Sequence, residues 1–168
     1  MNEKMKALAE GMKALAEGMK VRGFFRVNIV NEDGSLHGDS GWQENQITND
    51  GFNNFLAKLL GGISGSSQIT HMALGTGGAP AASDTTLAGE VVKRAAVTAA
   101  SSSNSKAVQF TATFASANSF VTDTRNISNV GLFARSEGGG TLFAGNTFAS
   151  SSCATNQSVN ATYTINFS

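Results

Sequence analysis

The chain has one cysteine, Cys153, and one proline, Pro80, in 168 residues. A single thiol excludes an intrachain disulfide, so the fold holds without covalent staples. Charge is also scarce: Asp, Glu, Lys and Arg make up 14%. The formal net charge is zero, and nothing in the overall balance marks a nucleic-acid binder. No apolar run approaches the ~18 residues of a membrane span, and the N-terminus lacks the hydrophobic segment of a signal peptide. The expectation is a cytoplasmic origin with no membrane partner. What is plentiful points towards β-structure. The 19 Gly, with many Ser, Thr and Asn around 40% apolar residues, suit short strands joined by tight polar turns better than a helical bundle. The length fits one domain with room for an appendage.

That appendage stands at the N-terminus as a direct repeat. Met5 to Gly11 recurs unchanged as Met12 to Gly18, followed by Met19 and Lys20. With Met5, Met12 and Met19 at heptad position a, Leu8 and Leu15 fall at d, the pattern of a helical seam. Gly11 and Gly18 each cost a helix about 1 kcal/mol against Ala. Two heptads are marginal alone in water, so the seam needs a partner: the chain's own body, a symmetry mate or another protein. Residues 1–26 hold six basic groups against three acidic, and the rest hold six against nine. A basic arm on a mildly acidic body suits attachment through the arm, or head-to-tail contacts between copies. The expected division is a helical arm over 1–20 and a β-domain over 21–168.

From Val21 the period changes to two. Phe25, Val27 and Ile29 alternate with polar residues, Asn31 to Ser35 supplies a turn, and a return strand is expected from Leu36 towards Asn45. Thr48, Asn49 and Asp50 offer caps for one internal helix, with Phe52, Phe55, Leu56, Leu59 and Leu60 on one stripe and Gly61-Gly62 as its end. Strands are then expected over Ile69–Leu74, Val91–Ala99, Val108–Phe114, Ile127–Arg135 and Thr141–Phe148, and over the alternating Val159–Phe167. Seven or eight short strands at this spacing predict an antiparallel β-sandwich of jelly-roll or Greek-key type.

Catalytic motifs are thin. Gly38-Asp39-Ser40-Gly41 copies the surroundings of a trypsin-like nucleophile, but the one upstream histidine, His37, is three residues away on the same strand. A triad needs side chains converging from separate segments, so a bent or bulged strand is the expected reading. His37 and His71 stand in no metal-ligand spacing with Cys153 or a carboxylate cluster. Gly75-Thr76-Gly77-Gly78 lacks the Lys-Ser/Thr of a phosphate-binding loop and reads as turn glycine. Asn126, Asn156 and Asn160 begin glycosylation triplets that read as coincidence in a chain so rich in Asn, Ser and Thr. No catalytic residue, metal or cofactor is therefore expected. Trp42 and the phenylalanines are expected as core anchors.

Several short patterns recur in one order from about Gly41 onward: Trp42, Asn45, Ile47 and Thr48; Gly51; Ala73-Leu74-Gly75-Thr76-Gly77; Leu87, Glu90 and Arg94; Val130-Gly131-Leu132-Phe133; and Leu142-Phe143-Ala144 with Phe148. With the alternating last strand, this order resembles the small virion structural proteins of tailed bacteriophages, of head-decoration or tail-associated type. Asn129 departs from that pattern, which carries an acidic residue there. The resemblance implies a head-decoration (cement) protein on the capsid exterior, made in the host cytoplasm. Its partners would be the major capsid protein and its own copies, as a homotrimer. The arm residues Met5, Leu8, Met12, Leu15 and Met19, with Lys6, Lys13 and Lys20, would then be partner-binding. The alternatives are a tail or fibre-tip module binding a receptor or carbohydrate, and a sugar-acting hydrolase.

Overall fold

The computed structural model describes residues 20–65, 67–101, 105–137, 139 and 142–168. Alternating apolar positions make the first long strand, β1 (Val21–Val30), which buries Phe25, Val27 and Ile29 and turns Arg22 and Arg26 outward. It continues into β2 (Leu36–Asp39) and β3 (Gln43–Ile47), both antiparallel to β1 on one side. On its other side β1 pairs along its whole length with β10 (Ser158–Phe167), which pairs in turn with β7 (Ala107–Phe114). These three strands carry the cleanest period of two in the sequence, because one face meets the core and the other meets water.

The remaining strands are β4 (His71–Gly75), β5 (Ala95–Ala96), β6 (Thr98–Ala100), β8 (Arg125–Phe133) and β9 (Leu142–Cys153). The sheet runs β5-β4-β8-β9-β3-β1-β10-β7-β6, with β2 beside β1. Mainly β and antiparallel, as expected, it is one continuous path nearly closed into a barrel. Closure is made by a strand that changes partners. Ala95–Ala96 pair with β4, Val97 donates its N–H to the Thr70 carbonyl at 3.0 Å, and Thr98–Ala100 pair with β7 at the opposite edge. The strand β3 makes the second corner: Gln43–Asn45 face β1, and Gln46 and Ile47 face β9. Val91–Ala99 is therefore not the single strand expected from sequence. Glu90 bridges to Gly75 and Val91 donates to Leu74, after which the chain turns before β5 begins.

The sheet is buried on both faces along β4, β8 and the start of β9, which explains their unbroken apolar runs. Met72, Leu74, Val130 and Leu132 face the main core, while Ala73, Phe133 and Leu142 form a second cluster outside it with Leu87. The segment 76–94 supplies that outer cover. Gly77 donates to Ala88 at 3.1 Å, and Leu142 donates to Thr85 at 3.0 Å. The Arg94 guanidinium lies 3.6 Å over the Phe133 ring and makes a two-point pair with Glu90 at 2.6 and 3.0 Å. The Arg94 side chain is 1% exposed; burial of a cation this complete is tolerable because it is paired and stacked. Gly131 sits under this cover, where a Cβ would stand 2.8 Å from Leu142 Cδ1.

Helix α1 comprises Gly51–Ala57, wound as a π-helix, and a last α-turn, Lys58–Leu60. Thr48 Oγ1 accepts from the Gly51 N–H at 3.0 Å, so one of the three proposed caps serves. Two bonds close the far end, Gly62 N–H to Leu59 and Ile63 N–H to Lys58, as the glycine pair implied. The helix lies at the sheet end where β1, β7 and β9 begin and β10 finishes. Only part of the expected stripe is covered: Phe55 is buried against Phe143, while Phe52 and Leu59 are 44% and 53% exposed.

Trp42 is not a core anchor; it is 52% exposed. It stands in the link between β2 and β3, beside the exposed Gln43 and Glu44; the inward positions of β3 are Asn45, whose amide pairs with the buried Tyr163 hydroxyl, and Ile47. The ring positions inside are taken by Phe25, which stacks on Tyr163 at 5.8 Å and meets Phe148 edge-on at 6.1 Å.

Asn129, the departure noted in the sequence, is fully buried and donates from Nδ2 to Gly78 at 3.1 Å and to Ala88 at 2.9 Å. A carboxylate cannot make those donations. Asn129→Asp should lower unfolding free energy by roughly 1–3 kcal/mol at pH 7, read from urea melts. Unchanged stability would show that the two bonds contribute nothing.

Candidate functional site: an apolar mouth beside the arm

The residues singled out for chemistry fall into ordinary structural roles. Ser40 Oγ accepts the Val27 N–H at 2.9 Å and donates to the Gly41 carbonyl at 2.7 Å. Asp39 makes a two-point pair with Arg26, at 2.9 and 2.5 Å, and takes the Gly41 N–H at 2.9 Å. Gly41, at φ +64, breaks the strand between β2 and β3 in a conformation that favours glycine. The protease look-alike is thus the expected bent strand, with its serine and aspartate bonded to the neighbouring strand.

His71 is half-buried, with Nδ1 2.9 Å from Thr70 Oγ1; burial, then the Arg94 charge, hold its pKa below the ordinary value. Burial pushes the Cys153 thiol up to about 11, leaving it a poor nucleophile at neutral pH. Among the described residues no group of three His, Cys, Asp or Glu side chains could hold a metal ion. No helix among them is long and apolar enough to cross a membrane.

The feature that stands apart is a groove of about 330 Å³ at the sheet end capped by α1, within the size of a small-ligand pocket. Helix α1 contributes Phe55, Leu56 and Leu59, and the facing wall comes from Phe110, Ile165 and Phe167. Its surface is almost wholly apolar. The strands make this wall because β7 and β10 keep their inward alternation past the point where the barrel core ends. Val108 and Phe167 are accordingly half-buried, unlike Phe110 and Ile165 deeper in.

The arm leaves the body at this same end. Lys20 N–H donates to the Ser168 carbonyl at 2.7 Å, and Ser168 N–H donates back to Lys20 at 2.9 Å. This clasp extends the β1–β10 ladder by one pair beyond Val21 and Phe167. Lys20 itself is exposed. The other arm residues named above, Met5, Lys6, Leu8, Met12, Lys13, Leu15 and Met19, lie outside the described residues. The groove was missed from sequence because six separate segments build it. The one available signal was the helix stripe, whose Leu59 is left without full cover.

Comparisons with protein-family models, curated proteins and solved structures find no match to the chain.

The Arg26 hydrogen bonds, then the Gly41 N–H, bring the Asp39 pKa down from 3.8 to about 2. A lowered folded-state pKa gives stability above the ordinary carboxylate value that is lost as pH falls towards 2. Asp39→Asn should therefore lower the melting temperature slightly at pH 7 and not at about pH 2. An equal difference at both pH values would contradict this role.

Proposed function

We propose that the chain is a phage virion structural protein, a head-decoration (cement) protein seated on the capsid exterior. In this reading residues 1–20 are a helical arm and 21–168 a body. The runs β6-β7-β10-β1 and β3-β9-β8-β4-β5 act as the two layers of a sandwich-like fold joined at its corners. The observation that carries the reading is the apolar surface left uncovered on so well-packed a body. Leu36, Trp42, Phe52, Leu59, Ile63 and Val92 are each between 44% and 63% exposed. Of these only Leu59 lines the apolar groove, so the uncovered surface is spread over several faces, which suits a body that contacts more than one neighbour. The motif order that resembles the phage proteins supplies the class of partner: the major capsid protein, and further copies of this chain as a homotrimer.

The mechanism is contact across subunit boundaries. A standard interface buries roughly 1,600 Å², and repetition over a lattice multiplies a modest contact into resistance to outward pressure. No catalytic step or cofactor belongs to this function. Many of the motif residues support the reading indirectly, as packing: Gly131, Leu87, Leu142 and Phe133 interlock, and Thr48 holds the helix to β9 through the Leu142 and Phe143 carbonyls.

The alternative, a tail or fibre-tip module binding a receptor or carbohydrate, draws on a second groove of about 350 Å³ lined by Ser101, Ser105, Gln109 and Thr164. Uncharged polar groups of this kind suit hydroxyl-rich ligands.

Capsids stripped of this protein should lose thermal stability and regain it when the full chain is added back. A chain lacking residues 1–19 should still fold to a body that melts cooperatively, and fail to restore the capsid. Stripped capsids as stable as intact ones would overturn the proposal, and antibody labelling confined to tails would select the alternative.

A further inference from the structure

We infer that the apolar groove between α1 and the β7–β10 wall is the docking site for the chain's own arm, received in cis along the seam of Met12, Leu15 and Met19. The inference holds wherever the protein acts and does not rest on the virion reading.

Position comes first. The last arm residue, Met19, adjoins Lys20, which is clasped to Ser168 beside Phe167. Phe167 is itself a wall of the groove. No linker separates arm from groove, so the seam is delivered to its rim. A short tether of this kind gives an effective concentration of order millimolar. A second copy at micromolar concentration competes poorly with that.

Chemistry agrees. The groove offers apolar side chains from α1, β7 and β10, and the seam offers Met and Leu, with Met able to adapt to an irregular surface. This is the helix-in-groove mode, in which anchors at i, i+3 or i+4 and i+7 enter a cleft. Met12, Leu15 and Met19 have that spacing.

The arm's flanks argue against its pairing with a second arm. Within the repeat, positions e are Ala9 and Ala16 and positions g are Gly11 and Gly18; Lys4, the one charge at g, precedes the repeat. Coiled-coil partners select one another through charges at e and g. Here the charges, Lys6, Lys13 and Lys20 with Glu10 and Glu17, stand at b and f, away from the seam. What remains is a narrow apolar ridge with small shoulders, a shape suited to a cleft. The glycines, costly to an isolated helix, let the backbone approach the groove walls closely.

The test is hydrogen exchange of the full chain, read by mass spectrometry over the arm. Wild-type arm amides should exchange about tenfold or more slowly than an unprotected helix allows, equally at roughly 1 and 100 µM. Leu59→Glu, a change at a half-exposed groove residue, should abolish that protection while β1 and β10 amides stay protected. Leu15→Glu should do the same from the arm side without touching the body. An arm unprotected in wild type would overturn the inference and leave the groove to another protein. Protection that appears only at the higher concentration, with a rise in particle mass, would also overturn it, in favour of arms exchanged between copies. Protection that survives both substitutions would overturn it as well.

Discussion

Closure of the sheet is the constraint on which the rest depends. The antiparallel path of nine strands, with β2 beside β1, has two end strands, and an open edge invites pairing with other chains. Here the two edges are consecutive in sequence. Ala95–Ala96 finish one side and Thr98–Ala100 the other, with Val97 as the corner between them. That single change of partner folds the sheet over its core, and it makes one end narrow enough for a short helix to cover. The long pairings follow from it: β10, held along its whole length between β1 and β7, becomes the wall that carries Tyr163, Ile165 and Phe167 inward. The clasp of Lys20 and Ser168 then holds these two residues together at the covered end.

In the proposed docking, this geometry gives the N-terminal segment a defined place. An apolar stripe of two heptads has too little helix stability to stand alone. A groove lined almost wholly by apolar side chains gains from being covered. The proposed strap onto a capsid and the proposed cis docking are compatible in energy terms. An arm that leaves its own groove for a neighbour exchanges one apolar cover for another, so a modest difference in affinity decides between the two states.

Legibility in the sequence tracked solvent exposure. β1, β7 and β10 were readable residue by residue, because water on one face writes a period of two into the chain. β4, β8 and the start of β9 were readable as strands, but not for what lies above them, since unbroken apolar runs say only that both faces are covered. The cover, segment 76–94 with Arg94 on Phe133, depends on contacts between residues about forty apart in sequence. Trp42 reads as core by type and is exposed because it falls in the link between β2 and β3, which composition does not mark. Val91–Ala99 reads as one strand because composition does not mark a corner. Helix α1 was bounded correctly by Thr48 and Gly61-Gly62, yet nothing in its composition announces π-winding. Of the candidate site, the helix stripe was visible and the groove was not, because the groove belongs to no single stretch of chain.

The central claim, that the fold delivers the arm to a groove beside its own root, is met most directly by a distance. Spin labels at positions 10 and 53 of the full chain, off the seam and outside the groove lining, measured by pulsed electron resonance in dilute solution, report where the arm lies relative to α1. The account expects one narrow distance distribution, collapsing to a broad one when Met12 is replaced by a charged residue. A distribution already broad in the otherwise native chain, with the width of a flexible segment, would contradict it.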